Sequence, residues 1–231
     1  PACAQMEGLD EFFDSRYEEI WRKGFGAPFL PGPRCTYSGQ DEQVLTNYIG
    51  SEAVRILQVI NGEFYSGAER VQDLLACNLK SFDFEVDFAC IKPGRFPGER
   101  RAKEALLHLI PMRSRFDLHI GFRLAEIVRK HGYRLIHTHS PRAALVGNLA
   151  ARFSGVPMIH HVHSPTSRDT ENAWRNRVNS TVEDLSLLGV SHLIPVSRSL
   201  ERHLLDRRFN HERLSLVANG VPTPGPLPAR E

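Results

Sequence analysis

The chain has 231 residues, 41% hydrophobic and 24% charged, and its 29 Lys and Arg against 27 Asp and Glu leave a net charge of +2. Near balance excludes the one-signed surface of a general nucleic-acid binder, and no apolar run approaches the ~20 residues that span a bilayer. The length suffices for one substantial core plus an appendage. Cys3, Cys35, Cys77 and Cys90 show no Cys-x-x-Cys spacing, so free thiols in a reducing compartment are expected. With no signal-peptide pattern at the N-terminus, a cytoplasmic location follows, extending to the inner membrane surface.

Residues 1–53 read as a leader. Leu9, Phe12, Phe13, Tyr17, Ile20 and Trp21 fall at helical three-and-four spacing between Glu7 and Lys23, and Gly24 stops the pattern. Phe25 to Gly39 is Gly/Pro-rich loop, with a shorter helix expected around Gln40 to Tyr48. The apolar stripe reads most simply as a docking face for the main domain; self-association, membrane contact or the tail of an upstream domain are the alternatives.

From residue 54 to 221 strands and helices alternate. Arg55 to Ile60 reads as a buried strand, Gly67 to Leu79 as a helix with Val71, Leu74, Leu75 and Leu79 inward, and Phe84 to Ile91 as a second strand. Pro93, Gly94, Pro97 and Gly98 argue for loop, and Ala102 to Ile110 for a short helix or an edge strand. Phe116 to Lys130 is a helix ended by Gly132. There follow a strand to Thr138, a helix from Ala143 to Phe153, a strand to Val162, a helix from Glu171 to Leu188, a strand Ser191 to Val196, a helix Ser199 to Arg207 and a strand Arg213 to Val217. Such alternation gives an α/β fold, a doubly wound, Rossmann-like parallel sheet covered on both faces. Residues 222–231, with Pro224, Pro226 and Pro228, read as a linker.

Five histidines lie where two of these strands run out: His137 and His139, then His160, His161 and His163. Ligands of open parallel sheets bind beyond the carboxyl ends of the strands, so polar residues concentrated there point to a site. Side chains alternate, which puts His137 with His139 and His161 with His163, and leaves His160 facing a helix layer. The first strand-to-helix turn, Asn61-Gly62-Glu63-Phe64-Tyr65-Ser66-Gly67-Ala68, sets small residues at a helix start, where amides and dipole favour a phosphate. Packing alone could also demand a small residue there. The turn is not Gly-x-Gly-x-x-Gly, which disfavours a dehydrogenase.

Taken in order, Arg55-Ile56-Leu57-Gln58-Val59-Ile60, Ser66-Gly67-Ala68-Glu69-Arg70, Ile136-His137-Thr138-His139-Ser140-Pro141, His161-Val162-His163, Ile194-Pro195-Val196-Ser197-Arg198-Ser199 and Val217-Ala218-Asn219-Gly220-Val221 resemble the N-terminal half of a family 4 glycosyltransferase. The resemblance implies a GT-B enzyme: two Rossmann-like domains facing across a cleft, metal-independent, moving a sugar from a nucleotide-sugar donor with retention of configuration. It implies a glycan or lipid-linked acceptor, in keeping with polysaccharide biosynthesis. Gly67 and Ala68 match the turn that approaches the donor diphosphate, and His163 the histidine at the reaction centre against the donor sugar. His139 and Ser140 match the acceptor-side loop, and Arg142 and Arg168 flank these loops as candidates for an anionic acceptor or the donor phosphate. The family's second domain supplies most of the nucleotide pocket, so this chain, the acceptor-side domain, is expected to be inactive alone.

Two other readings use the same residues differently. The histidines could hold zinc for hydrolysis, but no carboxylate stands at ligand or base spacing and no His-x-x-x-His helix occurs, so no metal is expected. Arg95, Arg100, Arg101, Lys103, Arg113 and Arg115 beside Leu106, Leu107 and Ile110 would suit a noncatalytic module or a peripheral contact at an anionic membrane surface. No nucleic-acid partner is expected.

Overall fold

The computed structural model describes residues 53–114, 117–163, 184 and 186–219. The expected leader, most of the expected helix from Glu171 to Leu188, Arg115, Arg168 and the linker lie outside them. The elements in chain order are β1 (Val54–Ile60), α1 (Gly67–Asn78), β2 (Phe84–Cys90), α2 (Phe96–Glu99), β3 (Leu107–Leu109), α3 (His119–His131), β4 (Leu135–Thr138), α4 (Pro141–Ser154), β5 (Met158–Val162), β6 (His192–Pro195) and α5 (Arg198–Asp206). The strands form one parallel sheet in the order β3-β2-β1-β4-β5-β6. The order reverses between β1 and β4, which makes their carboxyl ends the switch point of a doubly wound fold.

The alternation of side chains divides the sheet into two faces. Leu57, Val59, Ile136, Met158, Val162 and Leu193 join the larger core with α3 and α4, whereas Ile56, Leu135, Ile159 and Ile194 pack with Leu75 and Leu79 at the end of α1. α4 lies close to the sheet because Gly147 has no side chain: a Cβ there would stand 2.7 Å from Thr138 Cγ2 and 3.0 Å from Met158 Sδ. Gly147→Val is therefore expected to cost about 1–3 kcal/mol through overpacking, measured by urea denaturation; an unchanged midpoint would contradict this packing.

Several expectations are corrected by tertiary context. The segment 93–99 contains one helical turn, α2, with Pro at its start, where proline's fixed φ and missing N–H are tolerated. Of the two alternatives for 102–110, the structure has the edge strand β3. α3 begins at His119, three residues later than the apolar spacing predicts. α4 begins at Pro141, with Ser140 as its N-cap. The inward face of α1 is rotated: Val71 and Leu74 are half-buried while Asp73 is fully buried. Asp73 can be there because it accepts hydrogen bonds from the Tyr65 hydroxyl (2.6 Å) and the amides of Arg101 (2.6 Å) and Ala102 (3.0 Å).

Arg213 to Val217 does not form a full strand. Leu214 bridges Leu193 in parallel, and the amides of Ser215 and Val217 donate to the carbonyls of Leu193 and Pro195. Pro195 has no N–H to return the next bond, so the ladder stops. Cys90 is a free thiol, and burial pushes it up to about 11, making it an inert packing residue.

The basic segment is only partly a surface. Arg100 is turned onto the carbonyls of Ala102, Ala105 and Lys103, and Arg95 pairs with Glu99. Ile110 is core, leaving Leu106 as the exposed one of the three apolar residues. Among the described residues no helix is long and apolar enough to cross a membrane.

Candidate functional site

Two loops converge at the switch point. The chain leaves β1 through residues 61–66 and enters α1, and it leaves β4 through His139 and Ser140 and enters α4. Ser140 ties them together: its hydroxyl accepts from the Ala143 amide, capping α4, and donates to Asn61 Oδ1, both at 3.3 Å. The starts of α1 and α4 thus flank one crevice.

The start of α1 is open. Gly67 is exposed, and a Cβ added to it would meet nothing within 4 Å. Packing therefore does not demand glycine here, and the space remains free for a ligand to approach the backbone. Ala68 follows in the first turn, half-buried. Ser66 precedes them, its hydroxyl donating to Glu69 Oε2 at 2.6 Å and its amide to the same oxygen at 3.3 Å. Within the turn Gly62 has φ +81°, and a Cβ there would strike Cys90 Sγ at 2.3 Å, so glycine fixes its course beside β2.

The histidines stack on the sheet face that α1 covers. Ring centroids are 4.2 Å apart for His137 and His139, 5.0 Å for His139 and His161, 4.7 Å for His161 and His163 and 5.3 Å for His139 and His163. His137, His139 and His161 are buried, whereas His163 is half-buried and forms the mouth of the stack. A hydrogen bond of 3.1 Å joins His139 Nδ1 to His163 Nε2. Burial drives His137 down to about 3 and holds His139 and His161 well below the ordinary imidazole range, with the neighbouring rings adding to each effect. His163 is also lowered by burial, against an opposing pull from Glu69. At neutral pH the stack is uncharged, a set of aromatic faces with directional nitrogens.

His160 lies on the opposite face, toward α4, as its parity predicts. It is buried, bonded through Nδ1 to Thr138 Oγ1 at 2.8 Å, and lowered to about 3 by burial.

Sequence reading missed Gln58. It pairs in register with His137, is fully buried, and neither amide atom has a hydrogen-bond partner. The available signal was its parity: an amide at the position between Ile56 and Ile60 breaks an otherwise apolar face. His137 Nε2 and His139 Nε2 are likewise buried without a hydrogen bond, and the buried nitrogens of His161 have at most a weak hydrogen bond with the Val217 backbone. Arg142 is half-buried in the first turn of α4.

Among the described residues, His137, His139 and His161 form a group that could hold a metal ion. Ligand atoms of His137, His139 and His161 lie within 4.8 Å of one another, whereas tetrahedral coordination with Zn–N of about 2.0–2.1 Å draws them to roughly 3.3 Å.

A six-stranded parallel domain with its polar loops at the switch point is a Rossmann-like α/β domain. The sequence model of glycosyltransferase family 4 matches residues 65–223, and the chain belongs to that family. A curated relative, the Escherichia coli UDP-Gal:alpha-D-GlcNAc-diphosphoundecaprenol alpha-1,3-galactosyltransferase, is 27% identical over 107 residues, 46% of this chain and 28% of the relative. Among solved structures, Anabaena HepE in complex with UDP matches at TM-score 0.57 and 18% identity, over 73% of this chain and 44% of HepE. A glycosyltransferase from Rickettsia africae matches at 0.54 and 23%, over 73% and 44%. A Listeria monocytogenes protein described as a UDP-N-acetylglucosamine 2-epimerase matches at 0.57 and 9%, over 70% and 44%. The chain thus spans less than half the length of these relatives, and the structural likenesses establish the fold alone.

Proposed function

We propose that this domain is the acceptor-side half of a retaining glycosyltransferase that moves a sugar from a nucleotide-sugar donor, a UDP-sugar foremost, to a glycan or lipid-linked acceptor. The observation that carries the reading is the open α1 start at Gly67 and Ala68 facing the same crevice as the half-buried His163. The amides at Gly67 and Ala68 bind the donor diphosphate. His163 orients the donor sugar and stabilises charge near the reacting carbon, an electrostatic role with no formal proton transfer. Ser140, Arg142 and Arg168 serve the acceptor side, together with His139. The E. coli galactosyltransferase, whose name gives a UDP-linked donor and a diphosphoundecaprenol acceptor, supports the substrate classes. The acceptor's lipid would bring the enzyme to the cytoplasmic membrane surface as a peripheral protein.

The transfer needs no metal in this reading, because uncharged amides and cations take the leaving diphosphate. Activity of the two-domain enzyme should survive EDTA unchanged; loss restored by zinc would favour the hydrolase-like use of the histidines. The domain alone offers half a cleft. Titration calorimetry of this chain with UDP-sugars and GDP-sugars should accordingly give dissociation constants no tighter than about millimolar, roughly −4 kcal/mol, and no transfer. Micromolar binding would sink that division of labour.

A further inference from the structure

We infer that His139 is a positioning residue: it holds His163 in the neutral tautomer protonated at Nδ1, so that the His163 N–H lies on the ring edge turned away from His139. The inference rests on the reading of His163 as the residue at the reaction centre, but its core is a statement about two rings.

His139 Nδ1 and His163 Nε2 are 3.1 Å apart, so one carries hydrogen and the other a lone pair. The choice is made by the far side of His139. Its Nε2 is buried and has no hydrogen-bond partner. If His139 accepted from His163, its own proton would sit on Nε2 as a buried donor with nothing to receive it. If it donates from Nδ1, Nε2 keeps only an idle lone pair. Buried orphan N–H groups are rarer than under-used acceptors, so His139 donates and His163 accepts at Nε2. The neutral His163 then has its proton on Nδ1.

The surroundings reinforce the assignment. The titratable groups facing this pair are His137 and His161 from neighbouring strands and Glu69 from α1, and the two histidines are themselves held neutral by burial. Protonating His163 at Nε2 would force His139 into the orphan-donor tautomer, so the pair resists that charge. The rings of His137 and His161 lie 4.2 and 5.0 Å from that of His139 by centroid, which fixes its plane. His163 thus meets a sugar hydroxyl or a phosphate oxygen as a hydrogen-bond donor of set direction.

The decisive experiment is a two-bond 1H–15N correlation spectrum of this chain labelled with 15N-histidine near pH 7.5. The expected wild-type pattern for His163 is a protonated Nδ1 and a bare Nε2. A protonated Nε2 would overturn the inference. His139→Asn keeps a donor near the Nδ1 position and should preserve the pattern; His139→Ala should leave His163 averaging between tautomers, and an unchanged pattern there would also overturn it. Should His139→Ala not fold, the wild-type and His139→Asn spectra still decide. In the two-domain enzyme His139→Ala should lower kcat by about 10- to 100-fold, as misplacement of a reacting group does, with donor KM changed less than about threefold, and His139→Asn should recover most of the loss. Wild-type turnover in every His139 variant, when His163→Ala is impaired, would refute the positioning role alone. Wild-type turnover in His163→Ala would instead refute the proposed function and leave the tautomer assignment to the spectrum.

Discussion

Replacing His163 with alanine is expected to lower turnover at least ~100-fold in the proposed two-domain enzyme, the scale of removing one preorganised electrostatic group, with little loss of stability. The ring sits half-buried at the open end of a stack whose other members are buried, so its loss leaves the core intact. His160→Ala should behave in the opposite way. That ring fills space on the α4 face and bonds Thr138, and its removal should cost roughly 1 kcal/mol or more while sparing the chemistry. Turnover at saturating donor and acceptor, with thermal melts of both variants under one set of conditions, separates the two. Near-normal turnover of His163→Ala would move the reaction centre away from this loop.

The second large effect is acid sensitivity. His137 and His160 fall to about 3 in the folded chain, while an unfolded histidine titrates near ~6.5. Below that value the unfolded chain binds protons that the folded one refuses, so stability rises with pH in the window between the two. The contribution is complete above ~6.5 and is lost progressively as the pH falls toward 3, each group adding a slope of at most ~1.4 kcal/mol per pH unit. His139 and His161, also held low, act in the same direction. Two groups alone give nearly ~3 kcal/mol per unit, enough to exhaust a typical margin of ~5–15 kcal/mol within a few units. Urea denaturation from pH 8 to pH 4 should show a steep decline beginning near pH 6, and His137→Gln should reduce its slope by about one proton. A midpoint constant down to pH 4.5 would mean that the stack is hydrated and titrates freely.

Why five polar rings occupy such a place is a matter of topology. A buried imidazole without a partner is costly, and Gln58 beside them adds two more unpartnered atoms. Such groups collect at the carboxyl edge of β1, β4 and β5, where α1 begins and the apolar contacts of Leu75 and Leu79 lie further along the helix. A ligand crevice is where a fold tolerates this arrangement, because local order there serves binding more than stability.

The sequence by itself determined the class of fold and the place of the site. Apolar runs of strand length alternating with helical spacing allow few arrangements other than a doubly wound parallel sheet, and histidines at the ends of two strands must lie at its carboxyl edge. Parity placed His160 apart from His161 and His163, because a strand's side chains have no other option. Only the tertiary structure decided the rest. That Gly67 faces open space and is not a packing residue depends on what stands across from it. That Asp73 turns inward depends on amides 28 and 29 residues away. That Arg213 to Val217 stops short of a strand depends on the missing N–H of a proline in the neighbouring chain segment. The bond between His139 and His163 joins residues 24 apart, each just past the end of its strand, and no local pattern encodes which ring nitrogens meet; that is fixed by the register of β4 against β5 and by the burial that leaves His139 one usable partner.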